Sequence, residues 1–302
     1  MIDPRVTPAR RDLAADRLRA LVTADRYAMG EPFQVRAAIA PIYAQPTDTA
    51  EQWNALLAGD LFTVYERIGE WAWGQSARDF YVGWVKLATL GVDIRPLTHR
   101  IACARTLIFA RPDLKSPARD WLSCNAGVTI TDTDGNFAHA AELGWIYHPH
   151  LVEAHITQSD PIDIAGWFDN ATYRWGGIDS LGLDCSGLVQ MAFWACGVLV
   201  PRDTDMQAKT LGADITETTL SSDSMLQGLA RGDLVFWRGH VGLMVDDDQL
   251  IHANAYHMSV ARESVREAQT RIAPKGGPIT RILRPELAQL RQLGQIMPPG
   301  AK

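Results

Sequence analysis

Between about residue 31 and residue 155 the chain carries one pattern twice, and a repeat of that length predicts small, separately packed units. Ala40-Pro-Ile-Tyr-Ala-Gln-Pro46 matches Arg105-Thr-Leu-Ile-Phe-Ala-Arg-Pro112, with Tyr43 against Phe109 and Pro46 against Pro112. Further on, Gly83-Trp84-Val85 matches Gly144-Trp145-Ile146. The lag is about 66 residues at the front and about 61 at the back, a difference that one loop absorbs. The rest of the stretch is short apolar and aromatic runs (Phe33-Gln-Val-Arg-Ala, Leu61-Phe-Thr-Val-Tyr, Trp71-Ala-Trp, Val128-Thr-Ile-Thr) broken by Gly, Pro and Asp. Evenly spaced runs of this kind predict strands, and roughly 60 residues per copy is the size of a small β-barrel. Ahead of the repeat, residues 12–29 carry apolar residues near helical spacing and end at Gly30, which predicts an amphipathic helix.

A chain of 302 residues has room for two or three domains, and 47% hydrophobic with 21% charged residues is the balance of a globular protein. No segment is long and apolar enough to span a bilayer, so no membrane partner is expected. The net charge of −6, with no dense Lys/Arg run, argues against nucleic acid. Basic residues near Met1 are followed by no apolar stretch, so a secretory signal is not expected and a cytoplasmic location is. Cys103, Cys124, Cys185 and Cys196 form no C-x-x-C pair, which predicts free thiols rather than a structural zinc site.

Of these, Cys185 has the most informative surroundings. The turn-prone run Tyr173-Arg-Trp-Gly-Gly leads through Asp184 to Cys185-Ser-Gly, and the apolar run Leu188 to Trp194 follows. This is a loop feeding a helix with a thiol at the helix N-terminus, where unpaired N–H groups and the helix dipole favour a thiolate of lowered pKa. The alternative is a small buried residue at the start of a core helix. Downstream, three strands are predicted around Gly232–Trp237, Gly239–Val245 and Gln249–Ala253. A nucleophilic cysteine needs a base, and the base needs a third group to orient it. His240 and His252 are symmetric about Asp246, so a hairpin centred there sets them directly opposite on one face. His240 is then the candidate base and His252 the orienting residue. His257 is expected elsewhere, and His99, His139, His148, His150 and His155 are expected at surfaces. No carboxylate at ligand spacing completes a His/His metal site, so neither metal nor cofactor is implied.

Six segments now stand in order over about 130 residues: Tyr173-x-Trp-Gly-Gly, Asp184-Cys-Ser-Gly-Leu-Val, Pro201-Arg-Asp-Thr-Asp-Met-Gln207, Gly232-Asp-Leu-Val-Phe-Trp, Gly239-His-Val-Gly and Ile251-His-Ala. Together they resemble the NlpC family of bacterial cell-wall cysteine peptidases, and the upstream repeats resemble the bacterial SH3-like domains often fused ahead of it. The resemblance implies an α+β papain-like catalytic domain preceded by two small SH3-like β-barrels. The layout is an N-terminal helical extension (1–30), SH3-like domains over 31–92 and 93–155, and the peptidase domain over 156–302. It implies hydrolysis of the bond between γ-linked D-glutamate and the diamino acid of peptidoglycan stem peptides. Cys185 is then the nucleophile, His240 the base and His252 the orienter. Tyr173 and the Cys185 N–H would face the developing oxyanion.

Asp184 and Ser186 would contact the D-glutamate portion. Arg202 would meet its free carboxylate, or else be a surface charge after Pro201. Trp175 is expected in the core. In relatives with this layout the first SH3-like domain restricts the groove to peptides with a free N-terminal L-alanine. A buried ammonium must meet a carboxylate. Glu51 is the leading candidate with Tyr81 as its neighbour; Asp60 and Asp79 are rivals, and all three acids have the alternative of being solvated loop residues. The expected partners are peptides such as L-Ala-γ-D-Glu-diamino acid, met during wall recycling. A wall-binding protein with an inert last domain, or a papain-like amidase or acyltransferase, are the competing readings. The C-terminal stretch from Arg284 to Lys302 is expected to be a short helix and a loose tail.

Overall fold

The computed structural model describes residues 2–220 and 226–292. The chain falls into two compact units, one ending at Ile156 and the next beginning at Thr157. Among the described residues no helix is long and apolar enough to cross a membrane.

The first unit begins with a correction. Residues 12–29 do not form a helix: β1 (Leu13–Ala15) pairs in parallel with β2 (Arg26–Ala28), with a single 3-10 turn, Asp16–Leu18, between them. Helical spacing would have buried Leu21 with Leu18, but Leu21 is 57% exposed. Tertiary contacts outweigh the helical preference. Leu13 packs with Trp71, Trp73, Val82 and Trp84, and the Arg10 guanidinium lies 4.3 Å from the Trp73 ring and 5.3 Å from that of Trp84. Both Arg10 and Arg26 pair with Glu66.

The repeat is visible as two ladders of the same design. The first copy contains β3 (Glu31–Val35), β4 (Ile39–Tyr43), β5 (Gln52–Leu57), β6 (Leu61–Ile68), β7 (Trp71–Ser76), β8 (Val82–Lys86) and β9 (Leu90–Gly91), in the sheet order β5-β4-β8-β7-β6-β3-β9. The second contains β10 (His99–Ile101), β11 (Arg105–Phe109), β12 (Ala118–Ser123), β13 (Gly127–Val128), β14 (Ile130–Asp134), β15 (Phe137–Ala140), β16 (Gly144–Tyr147) and β17 (Leu151–Glu153). Its strands form one sheet of order β12-β11-β16-β15-β14 and another of order β13-β10-β17.

In the first copy Tyr43 pairs with Trp84 just after a register shift at Ile42/Tyr43. In the second, Phe109 pairs with Trp145 just after a shift at Ile108/Phe109. The repeated glycine has one physical reason in both copies: the neighbouring backbone passes too close for a side chain. A Cβ on Gly83 would lie 2.4 Å from Ile42 Cγ2 and 2.9 Å from the Tyr43 carbonyl, and one on Gly144 would lie 2.7 Å from the Phe109 carbonyl.

The second unit is α+β. It holds α1 (Pro161–Gly166), the short strands β18 (Ile178–Asp179) and β19 (Gly182–Leu183), then α2 (Cys185–Ala195), α3 (Thr204–Thr210), β20 (Ala213–Asp214) and α4 (Thr216–Thr219). β21 (Leu234–Trp237), β22 (His240–Met244), β23 (Gln249–Asn254) and β24 (Ser259–Ser264) follow, with α5 (Val265–Gly276), β25 (Arg281–Arg284) and α6 (Leu287–Gln292) last. The sheet order is β20-β25-β21-β22-β23-β24. Every residue of α2 except Trp194 is buried, as expected of a helix apolar on all sides and packed centrally, here against β22 and β23. Val235, Trp237, Met244, Leu250 and Ile282 of the sheet form a core with Val265 and Ala268 of α5. The short C-terminal helix is α6, and the expected tail, residues 293–302, lies outside the described residues.

Candidate active site

The loop-to-helix run builds a tight junction around one carboxylate. Asp184 caps α2, its Oδ1 accepting from Gly187 N at 2.8 Å, while its Oδ2 accepts from Gly176 N at 2.8 Å. The glycines permit this approach: a Cβ on Gly187 would lie 2.2 Å from the Gly177 carbonyl. Arg202 donates to Asp184 Oδ1 and to Ser186 Oγ, both at 2.9 Å, and pairs with Oδ2 as well. Gln207 donates to the Ser186 carbonyl at 3.0 Å and to the Pro201 carbonyl at 2.8 Å. The segment 201–207 therefore clamps the first turn of α2.

The structure corrects two expectations here. Arg202 is 1% exposed, so it is not a surface charge, and its guanidinium is bonded to Asp184 and Ser186. Asp184, 6% exposed, is committed to two backbone amides and Arg202, and Ser186 is buried beside it. These bonds hold the turn that carries Cys185. Trp175 is 60% exposed rather than in the core, because the turn directs its neighbour Gly176 N inward to Asp184 and leaves the indole outside.

Cys185 is the first residue of α2 and lies across the start of β22, its Sγ 4.0 Å from the Gly239 carbonyl. His240 opens β22, and its Nε2 is 2.8 Å from His252 Nδ1 on β23. The two histidines are not directly opposite. Leu243 pairs with Ile251 and Met244 with Leu250, so the turn centres on Asp247 and that register sets Gly242 across from His252. His240 and His252 are diagonal neighbours instead, still on one face, because a shift of two residues preserves the side. Gly242 has no side chain to stand between them.

The charge states also differ from expectation. Burial, then the nearby Asp184 carboxylate, pushes the Cys185 thiol up to about 12, against the lowering expected of a helix N-terminus. The capping carboxylate offsets the dipole. Burial, then His252, holds His240 down at about 3, and burial depresses His252. At neutral pH the resting pair is a thiol beside a neutral imidazole. Tyr173, half-buried and bridged through its backbone to Leu183 two residues before Cys185, has its phenol raised by burial and then by Cys185 and Asp184.

Glu51 and Tyr81 belong to the first unit. Glu51 is exposed just before β5, whereas Tyr81 is buried ahead of β8. The rival acids are occupied: Asp60 accepts from Arg78 at 2.7 Å and from Leu57 N at 2.9 Å. Asp79 is bonded to Asn54 at 2.8 Å, to Arg78 at 3.2 Å and to Tyr81 N at 3.2 Å.

Sequence reasoning missed Glu263. It lies on β24, which pairs with β23 so that Leu250 faces Glu263 and His252 faces Ala261. Its Oε1 is 2.7 Å from His252 Nε2 and also pairs with Arg271 of α5. Burial works against its charge, but His252 and Arg271 hold the carboxyl down at about 2. The signal for it was the alternation of Ser259–Ser264 after a turn, a fourth strand not read from the sequence. His257 is not elsewhere: one ligand atom each from His252, His257 and Glu263 lie within 4.8 Å of one another. A carboxylate does therefore join the histidines, contrary to expectation. Arg271 already neutralises it, which disfavours a divalent ion at that oxygen.

Residues 170–272 match the NlpC/P60 family, and residues 42–90 match the bacterial dipeptidyl-peptidase SH3 domain. The chain carries an NlpC/P60 peptidase domain behind an SH3-like domain. The NlpC/P60 match contains Cys185, His240, His252 and Glu263. Over 244 residues the chain is 27% identical to dipeptidyl-peptidase 6 of Lysinibacillus sphaericus, covering 73% of this chain and 86% of that protein. It is 34% identical over 105 residues to the γ-D-glutamyl-L-lysine dipeptidyl-peptidase of Bacillus subtilis, spanning 32% of each. An NlpC/P60 family protein from Bacillus cereus shares the fold, with a TM-score of 0.68 at 16% identity over 84% of this chain and 99% of that one.

Proposed function

We propose that this NlpC/P60 peptidase cleaves the bond between γ-linked D-glutamate and the diamino acid of peptidoglycan stem peptides, preferring free peptides that begin with L-alanine. The observation that carries the reading is the thiol of Cys185 set against the Gly239 carbonyl, next to His240, whose ring is bonded to the buried His252. The relatives named dipeptidyl-peptidases support the preference, since releasing a dipeptide requires recognition of a free N-terminus. Of the three candidate acids Glu51 alone is exposed, while Arg78 takes Asp60 and Asp79, so Glu51 is the proposed partner of the L-alanine ammonium. The second repeat is proposed as a second SH3-like barrel, on the shared ladder. A cytoplasmic role in recycling wall fragments belongs to the same proposal and rests on the free-peptide substrate.

Cys185 gives its proton to His240 as Sγ attacks the γ-carbonyl carbon, and the carbonyl oxygen takes up negative charge. Tyr173 and the Cys185 N–H at the start of α2 are the proposed donors to that oxyanion. His240 then protonates the diamino acid nitrogen as the C–N bond breaks, leaving a thioester on Cys185. Water attacks the thioester with His240 as base, which releases L-Ala-D-Glu and restores the thiol.

The test is incubation with free L-Ala-γ-D-Glu-diamino acid, its N-acetylated form and intact sacculi, with mass analysis of the products. Release of L-Ala-D-Glu from the free tripeptide, lost in Cys185→Ala, is expected. Cleavage of sacculi with no action on the tripeptide overturns the substrate, and activity surviving in Cys185→Ala overturns the mechanism.

A further inference from the structure

We propose that Glu263, held by Arg271, is a positioning residue that fixes the ring protons of both histidines so that His240 presents its bare Nδ1 to Cys185. The inference rests on the reading of Cys185 as nucleophile and His240 as base, and it adds a fourth member to their line.

The argument is one of donors and acceptors. An ionised carboxylate can only accept. With Glu263 Oε1 at 2.7 Å, His252 Nε2 must therefore carry the proton. A neutral imidazole protonated at Nε2 is bare at Nδ1, so the 2.8 Å bond to His240 must be donated by His240 Nε2. His240, also neutral, is then bare at Nδ1. That nitrogen adjoins Cγ, at the backbone end of the ring, and Cys185 Sγ lies 4.0 Å from the carbonyl of the preceding residue, Gly239. The free lone pair and the thiol are thus at the same end.

The opposite set of tautomers is excluded by burial. Were His252 to donate from Nδ1, its Nε2 lone pair would face a carboxylate oxygen at 2.7 Å. Two acceptors would then oppose each other where the His252 side chain has 0% exposure, an unsatisfied arrangement costing about 1–3 kcal/mol or more.

The surroundings agree. The charged and titratable groups acting on His240 are His252, Arg271 and Glu263, and those acting on His252 are Glu263, Arg271 and His257. Burial keeps both histidines neutral, while Glu263 stays ionised. Arg271 is itself placed, its guanidinium 4.4 Å from the Tyr256 ring. When His240 takes the thiol proton, the new positive charge is met through His252 by the same carboxylate.

The experiment uses the full chain labelled with 15N-histidine and a long-range proton–nitrogen correlation at pH 7. Wild type is expected to show His240 and His252 protonated at Nε2 and bare at Nδ1. Glu263→Gln replaces the obligate acceptor with an amide that can also donate, so mixed tautomers are expected. Removing a triad carboxylate costs about 10⁴ in kcat, so a group one link further out should cost about 10–10³, with KM unchanged within about twofold. Glu263→Asp, which keeps the charge, should recover part of that loss. A proton on His240 Nδ1 in the wild type overturns the proposal, as does wild-type kcat with unchanged tautomers in Glu263→Gln. If Glu263→Gln fails to fold, the wild-type spectrum decides alone. If the wild type does not cleave the tripeptide, the substrate reading fails while the spectrum and the rate of Cys185 alkylation still test Glu263.

Discussion

Replacing Arg202 by methionine removes one partner of a buried ion pair while keeping an unbranched apolar stem in its place. Arg202 is 1% exposed in its side chain and Asp184 9%, so the carboxylate left behind cannot recover its hydration. Breaking such a pair costs about 3–5 kcal/mol. Asp184 would keep its bonds from Gly176 N and Gly187 N, which points to the lower end, about 3 kcal/mol. The loss falls on the first turn of α2, because Asp184 is its cap and Arg202 also holds Ser186. Hydrogen exchange of the α2 amides, read by mass spectrometry, isolates that region without assuming that the two units unfold together. A loss of about 3 kcal/mol accelerates exchange through opening of α2 by about 10²-fold. Asp184→Asn combined with Arg202→Met removes the stranded charge and should restore part of the protection. Exchange in Arg202→Met within twofold of wild type would refute the reasoning, since it would mean that the pair does not hold the nucleophile's turn.

Alkylation of Cys185 by iodoacetamide should rise steadily with pH from 5 to 9, because burial and Asp184 raise the thiol and His240 is neutral; an acid-side plateau between pH 4 and 6 would reveal a thiolate–imidazolium pair instead. Gly83→Ala forces a Cβ to within 2.4 Å of Ile42 and 2.9 Å of the Tyr43 carbonyl, and should destabilise the first unit by about 1–3 kcal/mol in urea unfolding. Glu51→Gln should lower kcat/KM for the free tripeptide about 10- to 100-fold and leave the N-acetylated peptide unaffected, the size expected of one charged hydrogen bond; equal effects on both would remove Glu51 from amine recognition.

The residues that could be read from the sequence are those whose constraint is local or occurs twice. The helix start at Cys185 could be read because the turn-prone run, Ser186-Gly187 and the apolar run follow one another in sequence, whereas the capping role of Asp184 is seen only in the structure. Gly83 and Gly144 marked the repeat because each lets the corresponding strand of its own copy pass, β4 for Gly83 and β11 for Gly144. Residues 12–29 misled for the converse reason: their apolar spacing suits a helix, but Trp73 and Trp84 against Leu13, and Glu66 against Arg26, all distant in sequence, supply the partners that draw them into strands. The surface alternative for Arg202 stayed open in the sequence because the carboxylate that buries it lies 18 residues back. The hairpin argument held only in its parity. Evenness of separation puts His240 and His252 on one face whatever the turn, whereas direct opposition requires the turn to centre on Asp246, and it centres on Asp247. Parity also explains why Glu263 could have been found. Once β24 is paired so that His252 faces Ala261, the residue two further along shares its side, and a carboxylate there meets the ring nitrogen that the other histidine leaves free. A strand histidine pair with an acid on the next strand at that parity is therefore a stronger sequence signature of an oriented base than the pair alone.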